Sequence, residues 1–96
     1  HGALYSKEGR LDIQRGIFSN DKKAVERGCK CHMCSSGMKR QDICKMFKEN
    51  KPEAQKLATM HNMFFYKTLF EKIRKAIDSG KYSNWEKLKK EYEELV

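Results

Sequence analysis

No apolar run in these 96 residues approaches the roughly 18–20 needed to span a bilayer, and no signal-peptide pattern opens the chain. The first absence argues against a membrane partner. Together they make a reducing, cytosolic setting the expectation. There is no Gly-rich phosphate loop and no serine or cysteine with a convincing base, and the carboxylates are mostly dispersed among lysines. On its own residues, therefore, the chain is not expected to be an enzyme. Internal repeats and low-complexity segments are missing too, which leaves one small domain over residues 1–96. A chain this short buries only about 60–65% of its unfolded surface, so a metal cross-link or docking partner would add usefully to its stability. It begins with His1 instead of Met, and its first residues already read as mid-domain sequence. A fragment or processed product is expected.

What is abundant is positive charge: 21 Lys and Arg against 13 Asp and Glu, a net +8. Such an excess favours anionic partners, RNA or DNA above all. The basic residues are scattered along the chain, and any single cluster, such as Lys22-Lys23 or Lys39-Arg40, reads first as ordinary solvated surface.

The expected fold is α+β and mainly α: an N-terminal hairpin, a metal knuckle, then two or three helices. "ALYSKEGRLDIQ" fits a hairpin over 1–14, with a turn at Lys7-Glu8-Gly9 and Leu11 and Ile13 alternating with polar residues. Residues 15–37 form the metal loop, approached through the irregular stretch "FSNDKKAVERG". Met38, Ile43, Met46 and Phe47 suit a short helix over 38–50, which "NKP" then breaks. Pro52 is placed to open a long helix over 52–79, closed near Gly80. Its expected apolar face comprises Asn62, Tyr66, Leu69, Ile73, Ala76 and Ile77. A terminal helix over 83–96 has an S-x-x-E capping box at Ser83 and Glu86, and a stripe of Trp85, Leu88, Tyr92 and Leu95.

The chemistry lies in "GCKCHMC", residues 28–34. Cys29 and Cys31, two apart in an extended turn, point their Cβ atoms to opposite sides and do not readily pair. Cys31-x-x-Cys34 has the spacing of a redox dithiol or a zinc knuckle. A redox motif would open a helix beside a βαβ pattern, whereas this one follows an irregular basic loop. Three thiolates curling round one point suit Zn²⁺, which favours sulfur and nitrogen in a tetrahedron. Lys30, Arg27 and Lys39 would offset their charge. The fourth ligand could be His32, Cys44, His61 or the distant His1. His32 would have to bend back on its own loop, and Cys44 falls on the apolar side of the short helix. His61 sits on the long helix, roughly 100° round from the centre of the expected stripe at 100° per residue. Four protein ligands would leave no open position for water, so the site reads as structural.

Cys29-x-Cys31-x-x-Cys34 followed by His61-Asn62 resembles the zinc site in the C-terminal part of the tRNA-guanine transglycosylases, also called queuine tRNA-ribosyltransferases. "LYSKEGRLDI" is similar to the family's hairpin, with Asp12 where Asn is usual. "DKKAVERGC" keeps the family's spacing between an aspartate and the first cysteine. "HNMFFYKTLFEKIRKAIDSGKY" is similar to its His-Asn helix. Ser35 and Ser36 depart from the pattern, and so does the interval between Cys34 and His61.

The resemblance implies Cys29, Cys31, Cys34 and His61 as ligands of one structural Zn²⁺, with Cys44 and His32 as bystanders. It also implies the C-terminal piece of a cytoplasmic TIM-barrel enzyme that exchanges guanine at the tRNA wobble position for a 7-deazaguanine, preQ1 or queuine. The reaction would run through a covalent RNA–enzyme intermediate. The family's catalytic aspartates precede this segment, and none of Asp12, Asp21 or Asp42 matches one. tRNA and, in a full-length enzyme, a second subunit are the implied partners. A free-standing zinc-stabilised RNA-binding or protein-interaction module is the alternative.

Overall fold

The computed structural model describes residues 3–95. His1 and the side chain of Leu95 lie outside the described residues. The architecture is mainly helical with one two-stranded antiparallel hairpin. The preceding barrel that the family resemblance implies is not part of what is seen.

Strands β1 (Ala3–Ser6) and β2 (Gly9–Asp12) pair with Leu4 opposite Leu11 and Ser6 opposite Gly9. Leu4, Leu11 and Ile13 are buried, as alternation requires of a hairpin that covers a core on one face. A short 3₁₀ turn, Gly16–Phe18, drops Phe18 into the same core. The stretch before the cysteines is irregular, as its turn-rich composition suggests. It is nevertheless fixed, by an isolated bridge between Ala24 and Lys39 and by the side chain of Arg40.

The metal loop contains a single helical turn, α1 (His32–Ser35), which the sequence reading had merged into the loop. The short helix α2 is Arg40–Glu49, and its first turn is held by Asp42, whose carboxylate accepts the Lys39 N–H at 2.7 Å. One residue, Asn50, separates it from the long helix α3 (Lys51–Asp78). The helix therefore opens one residue before Pro52, where the missing N–H still costs no hydrogen bond.

Two expectations about the later helices fail. The capping box at Ser83 and Glu86 is not formed, because helix α4 (Tyr82–Glu91) begins earlier, with Lys81 as its N-cap residue. The Ser79 hydroxyl takes over locally, accepting from Lys81 N–H and Asn84 Nδ2, while Glu86 lies 3.6 Å from Lys89. The second failure concerns the face of α3. Of the residues placed on its apolar stripe, Leu69, Ile73 and Ala76 do pack inward, but Tyr66 and Ile77 are exposed, Ile77 at 67%. The buried residues are Ala54, Leu57, Ala58, His61, Phe65 and Ala76. That face is rotated from the expected one by roughly 80–90°, at 100° per residue. The bulky residues on the expected face outweighed the small alanines that let α2 and the hairpin come close.

Two apolar clusters result. The larger joins the hairpin, α1, α2 and the first half of α3. The smaller is Phe65, Ala76, Leu88 and Tyr92, with Tyr5, Leu69, Ile73 and Trp85 packed on it. Lys7 and Glu91, 3.0 Å apart, tie the hairpin turn to α4.

Candidate metal centre

The rotation of α3 brings His61 to the middle of the buried face, with no solvent exposure. Its Nδ1 lies 3.7 Å from Cys29 Sγ, 3.4 Å from Cys31 Sγ and 3.4 Å from Cys34 Sγ. All four ligand atoms fall within 4.8 Å of one another. Zinc bonds of about 2.3 Å to sulfur and about 2.0–2.1 Å to nitrogen imply S···N edges of about 3.5 Å in a tetrahedron. The observed edges bracket that value, so the four residues fit one zinc ion of the structural kind.

Local sequence explains how three cysteines reach one point. Gly28 has φ +84°, a conformation side chains rarely tolerate, and it turns the chain into the knuckle. Cys29 N–H then bonds Glu26 O at 3.1 Å. Two backbone amides point at sulfur: Cys31 N–H at Cys29 Sγ (3.5 Å) and Cys34 N–H at Cys31 Sγ (3.4 Å). Such donors favour the thiolate form. Cys31 thereby doubles as the N-cap of α1.

Behind the ligands lies a second layer. His61 Nε2–H donates to Tyr5 O at 2.8 Å, which fixes the tautomer and leaves Nδ1 free for a metal. The adjacent Asn62 grips the same strand: its Oδ1 accepts Tyr5 N–H at 3.0 Å, and its Nδ2 donates to Ala3 O at 2.9 Å. Two consecutive side chains of α3 thus occupy the outer edge of β1 as a neighbouring strand would. Metal loop, helix and hairpin meet at this point.

Burial sets the proton chemistry. It pushes the Cys29 and Cys34 thiols above their ordinary value, with the neighbouring cysteines reinforcing the rise at Cys34, and it lowers His61 against the opposing Tyr5 hydrogen bond. A divalent cation reverses this logic at the thiols, because a coordinating thiol gives up its proton.

The remaining candidates are elsewhere. His32 is exposed on α1. Cys44 is fully buried on α2, with its thiol 3.7 Å from Arg15 O and outside the cluster. Sequence reasoning missed two contributors. Asn62 was read as part of an apolar stripe, although a polar residue beside a candidate ligand is itself a signal for a second layer. Arg40 was read as surface, yet its side chain is 6% exposed. It donates to Ala24 O at 3.0 Å and to Glu8 Oε2 at 3.0 Å, holding the approach loop to the hairpin turn.

Comparison with known proteins extends the picture beyond the site. A family model described as queuine tRNA-ribosyltransferase matches residues 1–94. The queuine tRNA-ribosyltransferase of Clostridium perfringens (strain 13 / Type A) is 34% identical over 91 residues, covering 95% of this chain and 24% of the relative. That of Clostridium acetobutylicum is 35% identical over 91 residues, covering 93% and 24%. That of Clostridium botulinum (strain Okra / Type B1) is 33% identical over 89 residues, covering 93% and 23%. The chain spans about a quarter of the length of the curated relatives it matches.

Proposed function

The chain belongs to the queuine tRNA-ribosyltransferase family, and on that premise we propose that it is the C-terminal zinc-binding part of an enzyme that exchanges guanine in tRNA for a 7-deazaguanine. The observation that carries the reading is the Cys₃His cluster locked to the hairpin through Tyr5 O. Cys29, Cys31, Cys34 and His61 are the ligands. A bound zinc ion supplies a cross-link between the knuckle and α3, and with four protein ligands it has no open position at which to activate water. The segment's task is therefore to hold surfaces in place for an active site formed by the preceding part of such an enzyme. Its catalytic aspartates lie outside these 96 residues, and dimerisation and a cytoplasmic location belong to the same proposal. The net +8 suits tRNA as the partner.

Three experiments test this. Cys31→Ser and His61→Ala each lose stoichiometric zinc, measured by metal analysis of the purified chain, whereas Cys44→Ser keeps it. Zinc retained in His61→Ala but lost in Cys44→Ser overturns the ligand set. The activity is tested on the coding DNA upstream of His1. A reading frame that continues into a barrel whose last strand carries an aspartate supports the proposal. A start codon directly before His1 sinks it, and so does labelled guanine entering tRNA with the isolated chain.

A further inference from the structure

We infer that Cys31 and Cys34 form an oxidative modification site within the metal centre: hydrogen peroxide joins them in a disulfide, which removes two of the four donors and frees the zinc. Zinc at that centre is the premise taken from the function proposed above. In the sequence, Cys31-x-x-Cys34 lacked the helix that a redox pair would open. The fold supplies a turn of one. Cys31 is the N-cap of α1, and Cys34 stands three residues on, across its single turn. Residues so spaced on a helix have Cα atoms about 5 Å apart. A disulfide spans about 4.4–6.8 Å between Cα atoms.

The turn is held by contacts of its own. Ser35 N–H bonds Cys31 O at 2.8 Å, and the Ser36 hydroxyl donates to Met33 O at 2.7 Å. The Met33 side chain is buried in the larger core. The pair therefore keeps its spacing when the metal leaves. Access divides the two thiols: Cys31 is 5% exposed, whereas Cys34 is only half-buried. Oxidation follows thiolate character and access, which makes Cys34 the first sulfur attacked. Cys29 is half-buried too, but it precedes the turn, and among the described residues no backbone hydrogen bond ties it to α1. Cys44, buried beside Arg15 O, lies outside the cluster.

The chemistry balances with peroxide as the only co-reactant. The Cys34 thiolate attacks one peroxide oxygen; an S–O bond forms, the O–O bond breaks and hydroxide leaves. The Cys31 thiolate then attacks the Cys34 sulfur; the S–S bond forms, the S–O bond breaks and a second hydroxide leaves. Two thiolates are oxidised and one peroxide is reduced. Cys29 and His61 alone remain as donors, too few for a closed structural site.

The test treats the zinc-loaded chain with hydrogen peroxide, follows zinc release with a colorimetric chelator and locates the disulfide by mass spectrometry of unreduced tryptic peptides. Cleavage after Lys30 separates Cys29 from the other two. One zinc should leave each chain as an internal link forms within the peptide holding Cys31 and Cys34. Cys29 and Cys44 should stay open to alkylation, and dithiothreitol with added zinc should restore the centre. Cys29→His keeps four donors and the pair, so release should continue; Cys34→His keeps four donors without the pair, and release should stop. Equal release from the two variants overturns the inference. So does zinc retained while free glutathione in the same tube is oxidised, or a link made by Cys29 or Cys44. The metal-free chain should form the same link, so the pairing is decided even where a variant loses its metal. A chain that never takes up zinc fails the metal test above, and a wrong pairing fails this one alone.

Discussion

Replacing Asn62 with alanine isolates the grip of α3 on the hairpin without touching a metal ligand. Asn62 makes two hydrogen bonds to β1, at 3.0 Å with Tyr5 N–H and at 2.9 Å with Ala3 O. The side chain is only half-buried, so water reaches part of the space it leaves. Each bond is then worth about 1 kcal/mol instead of the full cost of an orphaned buried group. Alanine is the better helix former and returns roughly 0.5 kcal/mol. The net loss is about 1.5 kcal/mol, which for a domain of this size lowers the melting temperature by roughly 6–12 °C. Thermal unfolding of the zinc-loaded chain by circular dichroism measures it. Zinc content should stay at one per chain, because His61 keeps its own bond to Tyr5 O. Asn62→Asp sharpens the test. It keeps an acceptor for Tyr5 N–H but sets a carboxylate oxygen against Ala3 O, and should cost at least as much. Met63→Ala, one residue along and 69% exposed, should change little. A loss below about 0.5 kcal/mol in Asn62→Ala, the usual scatter of surface substitutions, would refute the strand-edge role.

Zinc affinity should rise with pH. Burial holds the Cys29 and Cys34 thiols above 9.0, so both arrive at the metal protonated and release their protons. Chelator competition around neutral pH should give a slope of about two or more in log K per pH unit, and a slope of one or less contradicts the burial argument. The pKa of His61 is shifted the other way from those of the thiols in the metal-free chain. Its pKa is depressed below 6.5, so the folded state resists its protonation. The stability this represents is present above 6.5 and is lost as pH falls through the depressed value, visible in urea unfolding of the metal-free chain as a lowered midpoint. Arg40→Ala should cost about 2–3 kcal/mol, since Ala24 O loses a side-chain donor and the approach loop loses its anchor. Arg40→Lys should recover less than half, because an ammonium cannot fork between a carbonyl and Glu8; full recovery in urea unfolding would show that charge alone suffices.

How legible each part was depends on whether its cause is local. The hairpin was readable because alternation at Leu4, Leu11 and Ile13 and a glycine at the turn are properties of adjacent residues. The three cysteines were readable because ligands within one loop announce themselves by spacing. The face of α3 was not. Periodicity gives the presence of a stripe, but its phase was drawn from the second half of the helix, and the first half buries alanines at 54 and 58 that the expected stripe left out. Small residues win where other elements must approach closely, a demand that comes from the partner surface and leaves no mark on a single helix.

The same phase error explains why spacing alone could not select the fourth ligand. With the stripe centred near Leu69 and Ile73, His61 stands on the flank, no better placed than other candidates. With the alanine face turned inward, His61 falls among the cysteines and Asn62 beside β1. Ligand choice is therefore a consequence of helix rotation, and helix rotation depends on residues that never touch the metal. Ala54, Ala58 and Leu57 set the angle at which α3 meets the knuckle. Enlarging Ala58, which is 2% exposed, should disturb zinc binding as surely as losing a ligand, because a small turn of α3 moves Nδ1 out of reach of three sulfurs at once. Ala58→Leu is expected to lower zinc affinity while Thr59→Leu, on the exposed neighbouring position, leaves it intact. Equal zinc affinity in the two variants would separate the site from the packing and refute that dependence.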